Sequence, residues 1–144
     1  MRGVYSAAYL EMLISRYKGI RNVGNLDLGK GFDLICGTST GAILACALAW
    51  GVNLEKVLDL YRSKGPAIFP EKVPTTLVGL IGQWYRRSGL NRRGAKALEV
   101  ALDAEFNGVT VRRLWDERGI GLAVPAVEMG RHRAWVFKTP HLPN

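Results

Sequence analysis

Phe32-Asp33-Leu34-Ile35-Cys36-Gly37-Thr38-Ser39-Thr40-Gly41 runs directly into Ala42-Ile43-Leu44-Ala45-Cys46-Ala47-Leu48-Ala49-Trp50. The stretch reads as a strand, a sharp turn and a helix, with Ser39 at the apex of a G-x-S-x-G pentapeptide. Glycines at 37 and 41 remove Cβ atoms where the strand folds back into the helix, so the serine backbone can take up a strained conformation. Ser39 Oγ then projects from the carboxyl end of the strand. The Thr40 amide, in the first turn of the following helix, points toward an oxyanion formed there. That is the geometry of an acyl-transfer nucleophile. The plainer alternative is a serine satisfied as a helix N-cap.

Outward from this turn, the near-continuous apolar run Phe32–Cys36 predicts a strand buried on both faces, as in a parallel sheet. Thr40–Trp50 is apolar nearly all round and predicts an internal helix. Before them, Val4–Lys18 predicts a helix with a polar stripe of Glu11, Ser15 and Lys18. Val4, Ala8, Met12 and their neighbours form its apolar face, and Gly19 is expected to end it. After them, Asn53 caps a helix over Leu54–Lys64. Pro66 to about Asn91 reads as irregular, with a short apolar piece at Leu77–Ile81. Arg93–Phe106 predicts a helix stopped by Asn107-Gly108, and Val111–Trp115 a single turn. Gly121–Glu128 and Arg133–Phe137 change to a two-residue period and predict a hairpin through Met129–His132. Strand, helices and hairpin together predict an α/β fold with too little sheet for its helices.

At 144 residues the chain is long enough for one compact domain and too short for two. Its 48% hydrophobic and 22% charged residues exclude a disordered or repeat protein. The longest uncharged apolar stretch, Ala42–Val52, falls short of the ~18 residues of a spanning helix. Glu11 interrupts the apolar residues after Arg2, which argues against a signal peptide and for a cytoplasmic location. Cys36 and Cys46 are expected to be buried core residues, and neither has metal-ligand spacing to a histidine. No metal or cofactor is expected.

The formal net charge is +8. Arg86, Arg87, Arg92 and Arg93 cluster around Trp84, Tyr85 and Leu90. Trp84, Tyr85, Arg86 and Arg87 are the candidate lipid-facing residues, since guanidinium groups meet phosphates and tryptophan favours the headgroup layer of an anionic membrane. A solvated surface is the ordinary alternative. Nucleic acid is the less favoured partner.

Residues 32–43 resemble the nucleophile elbow of the patatin-like phospholipases, whose serine motif is commonly G-T-S-T-G or G-T-S-A-G. Met1-Arg2-Gly3 followed by a helix resembles the tail of that family's D-G-G-G-x-R-G motif. Pro125–Val127 onward to Trp135–His141 is similar to the segment leading to the family's catalytic aspartate. The resemblance implies a three-layer α/β sandwich with a central, mainly parallel sheet, of which residues 1–144 form a single partial domain incomplete at both ends. It implies a phospholipase A-type serine esterase acting on lipid or phospholipid, with a Ser-Asp dyad and Ser39 as nucleophile. Arg2 and Gly3 are then the last positions of the oxyanion motif, and Thr40 adds its amide. Gly37, Thr38, Ser39, Thr40 and Gly41 make up the elbow motif. The D-G-G-G residues would precede Met1 and the D-G-G or D-G-A aspartate would follow Asn144. No aspartate of the chain is followed by glycine.

Two other readings stay open. One is a non-catalytic membrane-binding or regulatory domain. The other is an α/β-hydrolase triad that joins Ser39 to Asp103 or Asp116 and to His132 or His141. Asp33 starts the strand that Ser39 follows, which separates the two by about 20 Å if the run is extended. Asp33 is therefore read as a structural acid.

Overall fold

The computed structural model describes residues 2–68, 94–128 and 130–141. They fall into two compact units, one of residues 1–58 with 109–144 and one of residues 59–108. The first holds helix α1 (Arg2–Arg21), a 3-10 turn (Leu28–Gly31), strand β1 (Leu34–Cys36) and helix α2 (Thr40–Trp50). It continues with the first turn of α3 (Leu54–Ile68), then α5 (Val111–Arg118), β2 (Gly121–Glu128) and β3 (Arg133–Lys138). The second unit holds the rest of α3 and helix α4 (residues 94–106). Within it Leu60, Tyr61 and Ala101 are buried. The irregular stretch Pro66–Asn91 and its apolar piece Leu77–Ile81 fall largely outside the described residues.

Among the described residues the sheet has the order β1-β2-β3 and is mixed, consistent with an α/β fold but not mainly parallel. β1 and β2 are parallel, with Leu34 opposite Gly121 and Cys36 opposite Ala123. β2 and β3 are antiparallel, from Ala123 opposite Lys138 to Glu128 opposite Arg133. Ile35 and Leu122, paired across the strands, face the same side and are buried. That side carries α2, whose Leu44, Ala45, Ala47, Leu48 and Ala49 are buried as its all-round apolar sequence requires.

Burial on both faces of β1 does not hold. Leu34 and Cys36 are exposed, because no layer covers their side of the strand among the described residues. Cys46, on α2, is half-buried, and desolvation there pushes its thiol pKa up.

The rotation of α1 is also corrected. Gly3 and Ala7 are buried, whereas Tyr5, Tyr9, Met12, Leu13 and Tyr17 are exposed. Small side chains allow a close approach to α2, and they fix which line of the helix faces inward. Glu11, Ile14 and Lys18 lie on that line and are half-buried. The expected polar stripe thus faces inward in part, and Ser15 Oγ donates to Glu11 Oε1 at 3.2 Å. The helix runs past Gly19 and ends where Asn22 takes a left-handed φ of 52°.

Opposite the serine turn, one side chain ties three segments together. Arg118 Nη2 donates to Asp27 Oδ2 at 2.6 Å, and its Nε donates to the Ala49 carbonyl at 3.1 Å. The guanidinium thereby joins the 3-10 turn, the C-terminal end of α2 and α5. Arg118 and Asp27 side chains are only 16% and 31% exposed, so solvent screens the pair weakly. Arg118→Ala is expected to cost about 2 kcal/mol, since it leaves a half-buried carboxylate and a helix-end carbonyl without this donor. Urea unfolding of the variant checks this, with Asp27→Asn as the milder companion.

Candidate active site

The serine turn is built by three local features. Gly37 N, just past the carboxyl end of β1, donates to Ala123 O at 3.2 Å, which ties the turn to the neighbouring strand β2. Gly41 N donates to Thr38 O and Ala42 N to Ser39 O, both at 2.9 Å, and these bonds start α2. Between them Ser39 sits at φ 54°, ψ −128°. This is the mirror image of extended polyproline backbone, open to glycine and strained for any residue with a Cβ. Ser39 is exposed, so the strain presents the hydroxyl to solvent at the mouth of the turn.

The two motif glycines differ in role. A Cβ at Gly37 would overlap the Gly41 carbonyl oxygen and lie 2.8 Å from Ala45 Cβ. A Cβ at Gly41 would meet nothing within 4 Å. Close approach of strand to helix therefore accounts for Gly37, and not for Gly41. Thr38 is exposed, and Thr40 is half-buried at the start of α2, where the first-turn amides point out of the helix.

The N-terminal motif residues meet the turn. A Cβ at Gly3 would lie 2.8 Å from Thr40 Oγ1 and 2.9 Å from Thr40 Cβ. Gly3 and Thr40, far apart in sequence, are thus packed in direct contact beside Ser39. The backbone of Arg2 opens α1. Trp84, Tyr85, Arg86 and Arg87 lie outside the described residues.

Within the first unit, His141 and Asp116 do not meet Ser39. His141 packs against the Trp115 ring at 5.9 Å and shares the buried Thr139 hydroxyl at 2.5 Å. Thr139 Oγ1 in turn accepts from Leu122 N at 2.8 Å, near the amino end of β2. That end pairs with Leu34, at the far end of β1 from the serine turn. Asp116 lies on α5, which enters β2 at the same far end, and it is paired with Arg112 at 3.0 Å. His132 is exposed in the hairpin turn at φ 49°. Asp103 belongs to the other unit. Asp33 is at the amino end of β1, where its carbonyl accepts from Gly121 N at 2.8 Å. Among the described residues no cluster of three histidine, cysteine or acidic side chains could hold a metal ion. Within them, no helix is long and apolar enough to cross a membrane.

Sequence reasoning passed over Trp135 and Phe137, which share one face of β3 and stand exposed at Ser39's end of the sheet. Their two-residue spacing in Trp135-Val136-Phe137 carried that signal.

A family profile described as patatin-like phospholipase matches residues 1–139. A cGAMP-activated phospholipase of Vibrio cholerae is 30% identical over 99% of this chain and 39% of its own length. One of the same name from Pseudomonas aeruginosa is 31% identical over 99% of this chain and 38% of its own. A phospholipase A I of Arabidopsis thaliana is 50% identical over 44 residues, 30% of this chain and 3% of its own. The chain therefore spans about two-fifths of the length of the bacterial relatives. No solved structure matches it. With a match that covers nearly every residue and takes in both the elbow and the helix packed on it, the chain belongs to the patatin-like phospholipase family.

Proposed function

We propose that Ser39 is the nucleophile of a lipid acyl hydrolase. The observation that carries this reading is the Ser39 backbone at φ 54°, ψ −128°, a strained conformation for a residue with a Cβ at the apex of the turn. Ser39 Oγ attacks the acyl carbonyl of a lipid or phospholipid. The Thr40 amide, together with the backbone of the Arg2-Gly3 motif, stabilises the oxyanion. The base is an aspartate that takes the serine proton directly. It belongs to an Asp-Gly motif that these 144 residues do not contain. Residues 1–144 then form one partial patatin-like domain of a cytoplasmic enzyme that works at a lipid surface.

Hydrolysis of p-nitrophenyl butyrate tests the reading. The 144 residues alone are expected to give no turnover, because loss of even one oxyanion donor costs about 10²–10³ and the base is missing as well. A version extended to include the D-G-G-G and D-G-[GA] segments is expected to turn over, and Ser39→Ala to abolish it. Turnover by the 144 residues that persists in Ser39→Ala overturns the mechanism.

A further inference from the structure

Because β1 and β2 run parallel, the carboxyl end of β2 points the way the serine turn opens. Gly37 meets β2 at Ala123, and β2 continues from there to Glu128 before it turns. At ~3.3 Å per residue the hairpin reaches about 16 Å past the base of the turn. The tip carries Arg131, His132 and Arg133, all exposed. Glu128 makes a long ion pair with Arg131 at 3.8 Å, both side chains exposed and screened by solvent, so Arg133 leaves the tip with net positive charge.

Behind the tip the hairpin is apolar on both faces. Trp135 and Phe137, opposite Ala126 and Val124, share one face with Arg133. Val127 and Val136 lie on the other, and all four large side chains are about half exposed or more. Ala126, Val127, Glu128, Arg131, Trp135 and Phe137 line an open groove of about 430 Å³. Arg133 shares its face with Trp135 and Phe137, so that face laid along a membrane brings a long cationic side chain to the phosphate level beside aromatic rings that reach the acyl boundary. The charge also matches, since the chain as a whole carries +8.

We infer that the β2–β3 hairpin docks on an anionic phospholipid surface. Arg131 and Arg133 meet the headgroup phosphates, and Trp135 and Phe137 enter the acyl boundary beside them, at the end of the sheet where Ser39 opens. The choice of partner rests on the lipid hydrolase reading, while the test below needs no turnover.

The 144-residue chain is sedimented with sucrose-loaded vesicles of phosphatidylcholine alone or mixed equally with phosphatidylglycerol. Binding is expected to the mixed vesicles and to weaken with salt. Arg131→Gln with Arg133→Gln is expected to lower it about thirty-fold, the effect of two cations lost at an anionic surface. Lys30→Gln with Arg112→Gln removes the same charge at the other end of the sheet and is expected to leave binding within about two-fold of wild type. Equal losses in the two double variants would mean attraction by overall charge, and would overturn the docking site. Unchanged binding in the Arg131 and Arg133 variant overturns it as well. So does a dimer dissolved by Trp135→Ser with no vesicle binding, which would give the face to a second copy of the chain. Ser39→Ala is expected to bind vesicles like wild type, so failure of the hydrolase reading shows in ester turnover and failure of this one in sedimentation.

Discussion

A methyl group added at Gly37 is expected to break the serine turn. In Gly37→Ala the new Cβ would overlap the Gly41 carbonyl oxygen and crowd Ala45 Cβ at 2.8 Å. Neither obstacle is the far end of a flexible side chain, since one is backbone and the other a methyl fixed on α2. Relief therefore requires α2 to move away from β1, which separates Ala45 and its neighbours from the sheet. The expected cost is about 3 kcal/mol, the upper part of the range for overpacking a core. Ester turnover in a catalytically complete version should fall with it, because the displacement moves Ser39 and Thr40 together. Gly41→Ala is the matched control. Its Cβ meets open space and it lies within α2, so stability should be unchanged or rise by up to about 1 kcal/mol. Urea unfolding of the two variants decides the matter, and an equal loss in both would discredit the steric account.

The second large effect separates activity from stability at one residue. Ser39→Gly removes the nucleophile, and turnover in a catalytically complete version is expected to fall by about 10⁶, the loss seen when a serine hydrolase loses its serine. It also removes the Cβ from a backbone at φ 54°, ψ −128°. Relief of that strain is worth about 1–3 kcal/mol, and the greater freedom of glycine in the unfolded chain offsets about 0.5–1 of it. A net gain of about 1 kcal/mol is expected, read as a higher midpoint in urea or heat. Ser39→Ala keeps the Cβ and should be as inactive without becoming more stable. A Ser39→Gly protein less stable than wild type would mean that the turn is not strained.

These expectations show how far the residues could be read directly. The elbow was legible because its cause is local. A short apolar strand, glycine at the reversal and an apolar helix lie within nineteen consecutive residues, and β1 and α2 formed there. The hairpin was legible for the same reason, since its pairing follows a two-residue period through one turn. Helix limits were read less well. The first helix passes Gly19 because a mid-helix glycine costs only about 1 kcal/mol, and the chain leaves the helix at Asn22 instead. The last helix runs on to Arg118 rather than stopping after one turn, because Arg118 is held by Asp27 and Ala49 from distant segments.

By itself, then, the sequence determined the α/β alternation and the place of Ser39 at the end of a strand. Both follow from periodicity and from glycine at a reversal. Only the tertiary structure decided which side of α1 faces inward, that Leu34 and Cys36 stay uncovered, and that Gly3 abuts Thr40. The tertiary structure also set His141 and Asp116 at the far end of β1, where they serve packing and pairing rather than the serine. Each of those outcomes depends on how closely two distant segments can approach, and the size of a side chain limits that approach only once its neighbour is known.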